Sequence, residues 1–252
     1  MVSFFRKIFG SNSEEAVPAN LAALKADMHS HVLPGLDDGA ETLEKSLGLV
    51  EALIGLGYTK LIMTPHIMGD FYKNTPEGIR EKLTLLKQAV QEKGWNIQLD
   101  CAAEYYLDEW FVRRLEENEP LLTFGGEKKY LLFETSYINE PSFLKAVVFE
   151  MLSAGYKPVL AHPERYTYLY SKFDELKTLH EAGVLMQVNL NSLGGYYSDG
   201  AKRVAEKLID AKMVHLVGTD THSMKHIQFM QKAIASKYFG KLMQLPLINP
   251  QL

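Results

Sequence analysis

His29 and His31 stand two positions apart in the stretch DMHSHVLPGLDDG, residues 27 to 39, and Asp37 and Asp38 follow them closely. Residues at i and i+2 point to the same side of a β-strand but to nearly opposite sides of a helix, so an H-x-H pair acting as a unit belongs at a strand end. Pro34 and Gly35 then break regular structure, and a loop can carry the two aspartates back toward the imidazoles. Imidazoles and carboxylates gathered in this way are ligands for a divalent cation. Taken alone, the same stretch also reads as a solvated surface loop.

Six apolar runs follow: YTKLIMTPH, NIQLDCAAEYY, KYLLFETS, KPVLAHPER, VLMQVNLNS and VHLVGTDTH. His66 closes the first, Glu104 the second, Glu134 the third, His162 the fourth, Asn189 and Asn191 the fifth, and Asp220 with His222 the sixth. Five of the eight histidines (His29, His31, His66, His162, His222) and four carboxylates (Asp38, Glu104, Glu134, Asp220) thus fall at run ends. A catalytic zinc ion takes about three protein ligands, so so large a set implies two or three ions sharing a carboxylate. Imidazole and carboxylate without thiolate fit manganese, iron or zinc better than copper(I) or calcium, and leave the choice among those three open. Asp27 is expected to orient a ligating imidazole. Asp37 is expected to cap the next helix or shape its loop, and His180, His215 and His226 are expected in structural or surface roles.

These side chains need a scaffold that brings strand ends together. Between the runs, leucines, alanines and valines recur at three- and four-residue spacing, as in Leu43, Leu47, Val50, Leu53 and Ile54, which predicts amphipathic helices. Nearly continuous apolar strands separated by such helices indicate a parallel sheet buried on both faces. Seven units in a row favour a TIM-like (β/α) barrel, with an open doubly wound sheet as the alternative. In such barrels the C-terminal strand ends form the functional rim.

The 252 residues, 46% of them hydrophobic, can bury a sizeable core, and a net charge of −4 gives no basic surplus for tracking a nucleic-acid backbone. Cys101 is the single cysteine, which excludes an internal disulfide and suits a reducing, cytoplasmic compartment. Residues 11–20 read as a linker, with packing expected from near Leu21. The apolar and basic MVSFFRKIFG ahead of it lacks a secretion-signal core and suits weak contact of residues 1–10 with a membrane surface, or a free tail.

The strings DMHSHVLPGLDDG, TPH, AAEYY, FETS, AHPERY and GTDTH, spread from about Lys25 to the C-terminus, resemble the polymerase-and-histidinol-phosphatase (PHP) superfamily. Within it they are most similar to the bacterial tyrosine-protein phosphatases of capsular and exopolysaccharide clusters. The resemblance implies one domain, 24–252, after an arm and linker at 1–23: a distorted (β/α)7 barrel holding three ions, manganese favoured. Carried over by motif, His29, His31, Glu104 and Asp220 hold one ion. Glu104 bridges to a second held by Glu134 and His162, and Asp38, His66 and His222 hold the third. Arg165 of HPER takes the phosphate in a bidentate clamp. Asp38 and His222 join it as the catalytic set.

One departure stands out. In well-known members an additional Arg follows the D-x-H within a few residues, whereas here the stretch reads SMKHIQ, leaving Lys225 or His226 as the stand-in. Tyr105, Tyr106, Tyr137, Tyr166, Tyr168, Tyr196 and Tyr197 lie just past the run ends and are expected to wall a slot for a phosphotyrosine ring, with Tyr106 and Tyr166 its contacts. The implied activity is metal-dependent phosphotyrosine hydrolysis, the substrate being the tail of a bacterial tyrosine kinase. A small phosphomonoester such as histidinol phosphate, or a nucleic-acid end, is the alternative substrate. A non-catalytic scaffold would lack ligand residues that are all present here. A cysteine-dependent phosphatase needs C-x5-R, and Leu107 stands where that arginine would be. Self-association is left open.

Overall fold

The structure, a computed structural model, describes residues 20–252, so the expected membrane-touching arm at 1–10 and the linker up to residue 19 lie outside the described residues. Nine strands are found among the described residues: β1 (Ala26–Asp27), β2 (Lys60–Met63), β3 (His66–Ile67), β4 (Gln98–Cys101), β5 (Glu104–Tyr106), β6 (Tyr130–Glu134), β7 (Lys157–Ala161), β8 (Leu185–Asn189) and β9 (Val214–Gly218). They form a three-stranded sheet, β1-β2-β4, and a six-stranded sheet, β3-β5-β6-β7-β8-β9, and every ladder is parallel.

Two expected runs, YTKLIMTPH and NIQLDCAAEYY, are each cut in two. Pro65 has no N–H to donate, so the ladder stops between Met63↔Cys101 and His66↔Glu104 and resumes in the same register. The H-x-H pair also lies beyond its strand. β1 ends at Asp27, and the following segment is tied to the chain after β9 by Asp220 N–H to His29 O (2.7 Å), His31 N–H to Thr221 O (3.0 Å) and a Ser30–Thr221 bridge. Thr64 N–H bonds Ser30 O (2.9 Å) on its other side. The first and last strand segments are therefore neighbours, joined by a bridge rather than a full ladder.

Helices follow the strands: α1 (Leu43–Gly55), α2 (Pro76–Glu92), α3 (Glu109–Glu116), α4 (Leu144–Ser153), α5 (Phe173–Glu181), α6 (Asp199–Asp210), α7 (Met224–Ile234) and α8 (Lys237–Leu242). Thr42, Thr75, Asp108 and Ser198 start α1, α2, α3 and α6 by accepting a first-turn N–H, which satisfies a donor that the helix leaves free. Their buried faces, such as Leu49, Val50 and Leu53 of α1, pack on the outer side of the strands in one large core. A second apolar cluster, Met28, Ile62, Leu132, Val159 and Leu216, is drawn from five different strand segments. β6 is buried along its whole length, as a strand covered on both faces must be. Leu21 and Leu24 are buried at the start of the described chain. Among the described residues no helix is long and apolar enough to cross a membrane.

Candidate metal and phosphate site

Parallel strands in register deliver their last residues to one end. His66 and Glu104 are direct ladder partners, and Tyr106 pairs with Glu134 on the next strand over. His162 and Asp220 follow the ends of β7 and β9 and carry φ of 33° and 50°, a left-handed backbone that non-glycine residues rarely adopt. Strain at two expected ligands marks an arrangement enforced by its surroundings. Gly218 permits the approach of His29, because a Cβ there would lie 2.6 Å from the His29 Cβ.

All nine expected ligands converge. Within 4.8 Å lie the sets His31, Asp38, His66 and His222; His29, His31 and Asp220; His29, Glu104 and His162; and His66, Glu104 and Glu134. The grouping follows the division carried over by resemblance in keeping Asp38, His66 and His222 together and His29, His31 and Asp220 together, and it adds further close approaches. His66 faces Glu104 (3.1 Å) and Glu134 (3.0 Å) more closely than Asp38 (3.7 Å), and His162 is nearer Glu104 (3.0 Å) than Glu134 (3.9 Å).

Three histidines have one ring nitrogen committed. His31 Nδ1 donates to Asp37 Oδ2 (2.7 Å), His29 Nδ1 to Gln187 Oε1 (2.8 Å) and His222 Nδ1 to the Asp220 carbonyl (2.9 Å). Each Nε2 lone pair is then turned to the shared centre, the tautomer that metal-ligating imidazoles adopt. The buried Glu104 Oε2 sits 3.2, 3.3 and 3.1 Å from His29 Nε2, His31 Nε2 and His66 Nδ1, yet accepts a directed hydrogen bond from none of them. Lone pairs crowded face to face inside a protein are costly unless a cation lies between them, so the residues fit divalent metal ions.

The electrostatics agree. Burial works against charge on His29, but the Glu104 and Asp220 carboxylates outweigh it and lift its pKa to about 9. Burial likewise opposes ionisation of Glu104 and Asp220, yet the surrounding imidazoles, with Arg165 beside Asp220, hold both carboxyls well below the usual range. The two carboxylates therefore stay ionised at neutral pH, and an entering cation displaces the protons they hold on the imidazoles.

Arg165 reaches the same place by a tight turn. Pro163 opens a 3-10 turn (Pro163–Arg165), and the guanidinium then bonds Asp220 Oδ2 (2.8 Å). Asp220 is divided: Oδ1 faces His29 and His31 at 3.5 Å each, while Oδ2 accepts from Arg165, Asn189 Nδ2 (2.7 Å) and Tyr197 OH (3.2 Å). All this opens on a cavity of about 1020 Å³ whose wall includes Asp38, His66, Glu134, His162, Arg165 and His222.

Some expected residues are elsewhere. Tyr166 is fully buried, its hydroxyl donating to Ala161 O (2.9 Å) and accepting from Thr135 N–H (3.1 Å), so it is a core residue with no free face for a substrate. Tyr105 is equally buried, its hydroxyl accepting from Leu122 N–H. Tyr106, Tyr137 and Tyr197 line the cavity, and with them Tyr72, which the run-end pattern misses because it lies in the loop after β3. Lys225 is exposed on α7 and outside the cavity wall, since the 3.6-residue period turns it away from the side that bears Ser223 and His226. His226, expected either in a structural or surface role or as the stand-in for the arginine, lines the cavity, its Nδ1 accepting from His222 N–H (3.3 Å).

Asp27 does not touch an imidazole; its carboxylate accepts from Thr219 N–H and Oγ1 (2.9 and 2.7 Å) and braces the turn before Asp220. Asp37 and Gln187 take the orienting role instead. Gln187 was legible as a polar residue inside an apolar run, two positions before Asn189 and so on the same strand face. Cys101 is buried, and desolvation pushes its thiol up to about 11, which removes it as a nucleophile.

Residues 25–245 match the family model described as capsular polysaccharide synthesis, CpsB/CapC. The chain belongs to that family. Tyrosine-protein phosphatase YwqE of Bacillus subtilis is 29% identical over 217 residues, 85% of each chain. Tyrosine-protein phosphatase CpsB of Streptococcus pneumoniae is 27% identical over 226 residues, covering 85% of this chain and 91% of the relative. The crystal structures of B. subtilis YwqE and S. pneumoniae CpsB, described as unique metal-dependent tyrosine phosphatases, supply a match with a TM-score of 0.80 at 27% identity, covering 90% of this chain and 91% of that one. The CpsB/CapC chain thus shares its fold with metal-dependent phosphatases along nearly its whole described length.

Proposed function

We propose that this chain is a metal-dependent protein-tyrosine phosphatase that uses His29, His31, Asp38, His66, Glu104, Glu134, His162, Asp220 and His222 to hold two or three divalent ions. The observation that carries the reading is Glu104 Oε2, buried and facing three imidazole nitrogens beside a cavity that also holds Arg165. Manganese is the first candidate ion, with iron and zinc compatible with the same donors. When bound, such ions polarise phosphoryl oxygens and lower the pKa of water into the neutral range.

The chain's own residues do the rest. Arg165 leaves Asp220 to grip the phosphate through its planar fork. Asp37, Gln187 and the Asp220 carbonyl hold the imidazoles in the tautomer that ligation needs. Asp38 and His222, partly exposed at the cavity mouth, complete the ligand set where the leaving oxygen departs. Tyr72, Tyr106 and Tyr137 flank the substrate ring. His226, its pKa lowered to about 4 by burial, is neutral and offers one ring N–H in place of the charge of the arginine expected after the D-x-H. The substrate is a phosphotyrosine-bearing protein such as the tail of a bacterial tyrosine kinase.

The test is turnover of a phosphotyrosine peptide beside histidinol phosphate by the manganese-loaded protein, before and after chelation. The reading expects preference for the peptide and loss of activity on chelation. Preference for histidinol phosphate, or activity that survives complete metal removal, overturns it.

A further inference from the structure

The Arg165 guanidinium carbon lies 4.2 Å from the centre of the Tyr197 ring and 4.6 Å from that of Tyr137, so the cation rests against two aromatic faces. Arg165 follows β7, Tyr197 precedes α6 and Tyr137 follows β6, so three separate connections converge on one charge. Tyr197 does a second thing. Its hydroxyl donates to Asp220 Oδ2 (3.2 Å) and accepts from Asn189 Nδ2 (3.1 Å), while the other oxygen of Asp220 faces His29 and His31. One side chain thus touches the phosphate-binding arginine with its ring and a metal-ligating carboxylate with its hydroxyl.

We propose that Tyr197 is a positioning residue with two separable functions: its ring, with that of Tyr137, holds Arg165 for phosphate, and its hydroxyl orients Asp220 for metal. A guanidinium carries its charge on a plane, and aromatic faces favour such a plane without using any of its five N–H donors. Two rings can therefore restrain Arg165 and still leave the whole fork free for phosphate oxygens. Hydrogen bonding alone, as Arg165 makes to Asp220, would consume the donors that the substrate needs. The hydroxyl matters for a different reason. Asp220 Oδ2 keeps Asn189 Nδ2 and Tyr197 OH as donors when Arg165 turns to phosphate, which leaves Oδ1 as the free ligand atom and fixes its direction.

The inference rests on the reading of Arg165 as the phosphate ligand, and the experiment keeps the two apart. Purified full-length wild type, Tyr197→Phe, Tyr197→Leu and Tyr137→Leu are compared for manganese dissociation constant by titration calorimetry. Inorganic phosphate affinity is then measured on each protein saturated with manganese, neither readout depending on which substrate is turned over. Tyr197→Phe is expected to weaken manganese about tenfold, as loss of an orienting partner does, and to leave phosphate within about twofold of wild type. Tyr137→Leu is expected to weaken phosphate about 5- to 30-fold and manganese by less than Tyr197→Phe does, since its hydroxyl makes only a long 3.5 Å bond to Glu134 Oε2, and Tyr197→Leu to weaken both.

Equal loss of both affinities in Tyr197→Phe, or phosphate affinity unchanged in both leucine variants, overturns the proposal. A matched unfolding midpoint for Tyr197→Phe and wild type confirms that the comparison is between folded proteins. If wild type binds phosphate but leaves phosphotyrosine intact, the functional reading fails while the roles of Tyr197 and Tyr137 are still decided.

Discussion

His29 and His215 are both imidazoles drawn largely into the interior, and their surroundings push them in opposite directions. At the strand ends, carboxylates overcome desolvation and raise His29 to about 9. Behind the sheet, burial and the neighbouring His180, its ring centre 5.1 Å away, depress His215 to about 4. His215 Nδ1 accepts from Met186 N–H (3.1 Å), a bond that requires the unprotonated nitrogen. Burial alone therefore does not make a ligand. A histidine becomes one where acids share its pocket and its other nitrogen is already tied down.

The same contrast separates two buried polar networks. Asn249, fully buried beneath the start of β1, donates to Ala26 O and Val217 O and accepts from Val217 N–H, so its side chain is satisfied within the protein. Glu104, His29 and His31 are buried as deeply and left facing one another. One end of the molecule closes its polar groups for stability, and the other aims them at a cation.

The largest effect expected from breaking this contrast is at Glu104. Glu104→Ala removes the carboxylate common to two ligand groups, and phosphotyrosine turnover should fall at least about 1000-fold, the loss of several kcal/mol of charge stabilisation, as read by kcat/KM with saturating metal. Next in size is Asp37→Asn, which weakens the acceptor that fixes His31. It should lower metal affinity about 10- to 100-fold, measured by competition with a chromogenic chelator.

The two histidines also predict pH dependences of opposite sign. His29 is raised above its ordinary 6.5, so in chelator-treated protein it contributes stability that is present below pH 6.5 and is lost as pH rises through about 9. Protons and metal compete for the same nitrogens, so metal uptake at pH 7 should release protons, detected as a buffer-dependent calorimetric heat. His215 is lowered, so its contribution is present above pH 6.5 and is lost as pH falls toward about 4. His215→Asn, which keeps an acceptor for Met186 N–H, should flatten that acid limb by about 1–2 kcal/mol after allowance for partial exposure, read from denaturant midpoints between pH 4 and 7. The smallest effect belongs to Lys225→Ala, expected to change kcat/KM less than about twofold because the side chain is outside the cavity wall.

Much of the site could be read from residue order because parallel strands in register bring run-ending residues to one rim, as with His66 and Glu104. What order alone could not give is direction. Tyr166 and Arg165 are adjacent, yet the 3-10 turn after His162 sends the arginine to the cavity and the tyrosine into the core. The two-residue offset of Asp27 from His29 suggested a brace for the imidazole, but the left-handed turn at Asp220 brings Thr219 over Asp27 first. Asp37 reaches His31 only because its loop folds back, with Gly39 N–H bonding Asp37 Oδ1 (3.0 Å) and Ala40 N–H bonding His31 O (3.0 Å). Loops set those directions through backbone bonds that leave little trace in residue spacing.

Chemistry at this rim depends on nine side chains sharing cations. Elemental analysis of purified protein, paired with a phosphotyrosine assay before and after exhaustive chelation, tests that most directly. Two or three divalent ions per chain, with activity that disappears on chelation and returns with manganese, is the predicted result. Less than one ion per chain in a protein that still hydrolyses phosphotyrosine would contradict it.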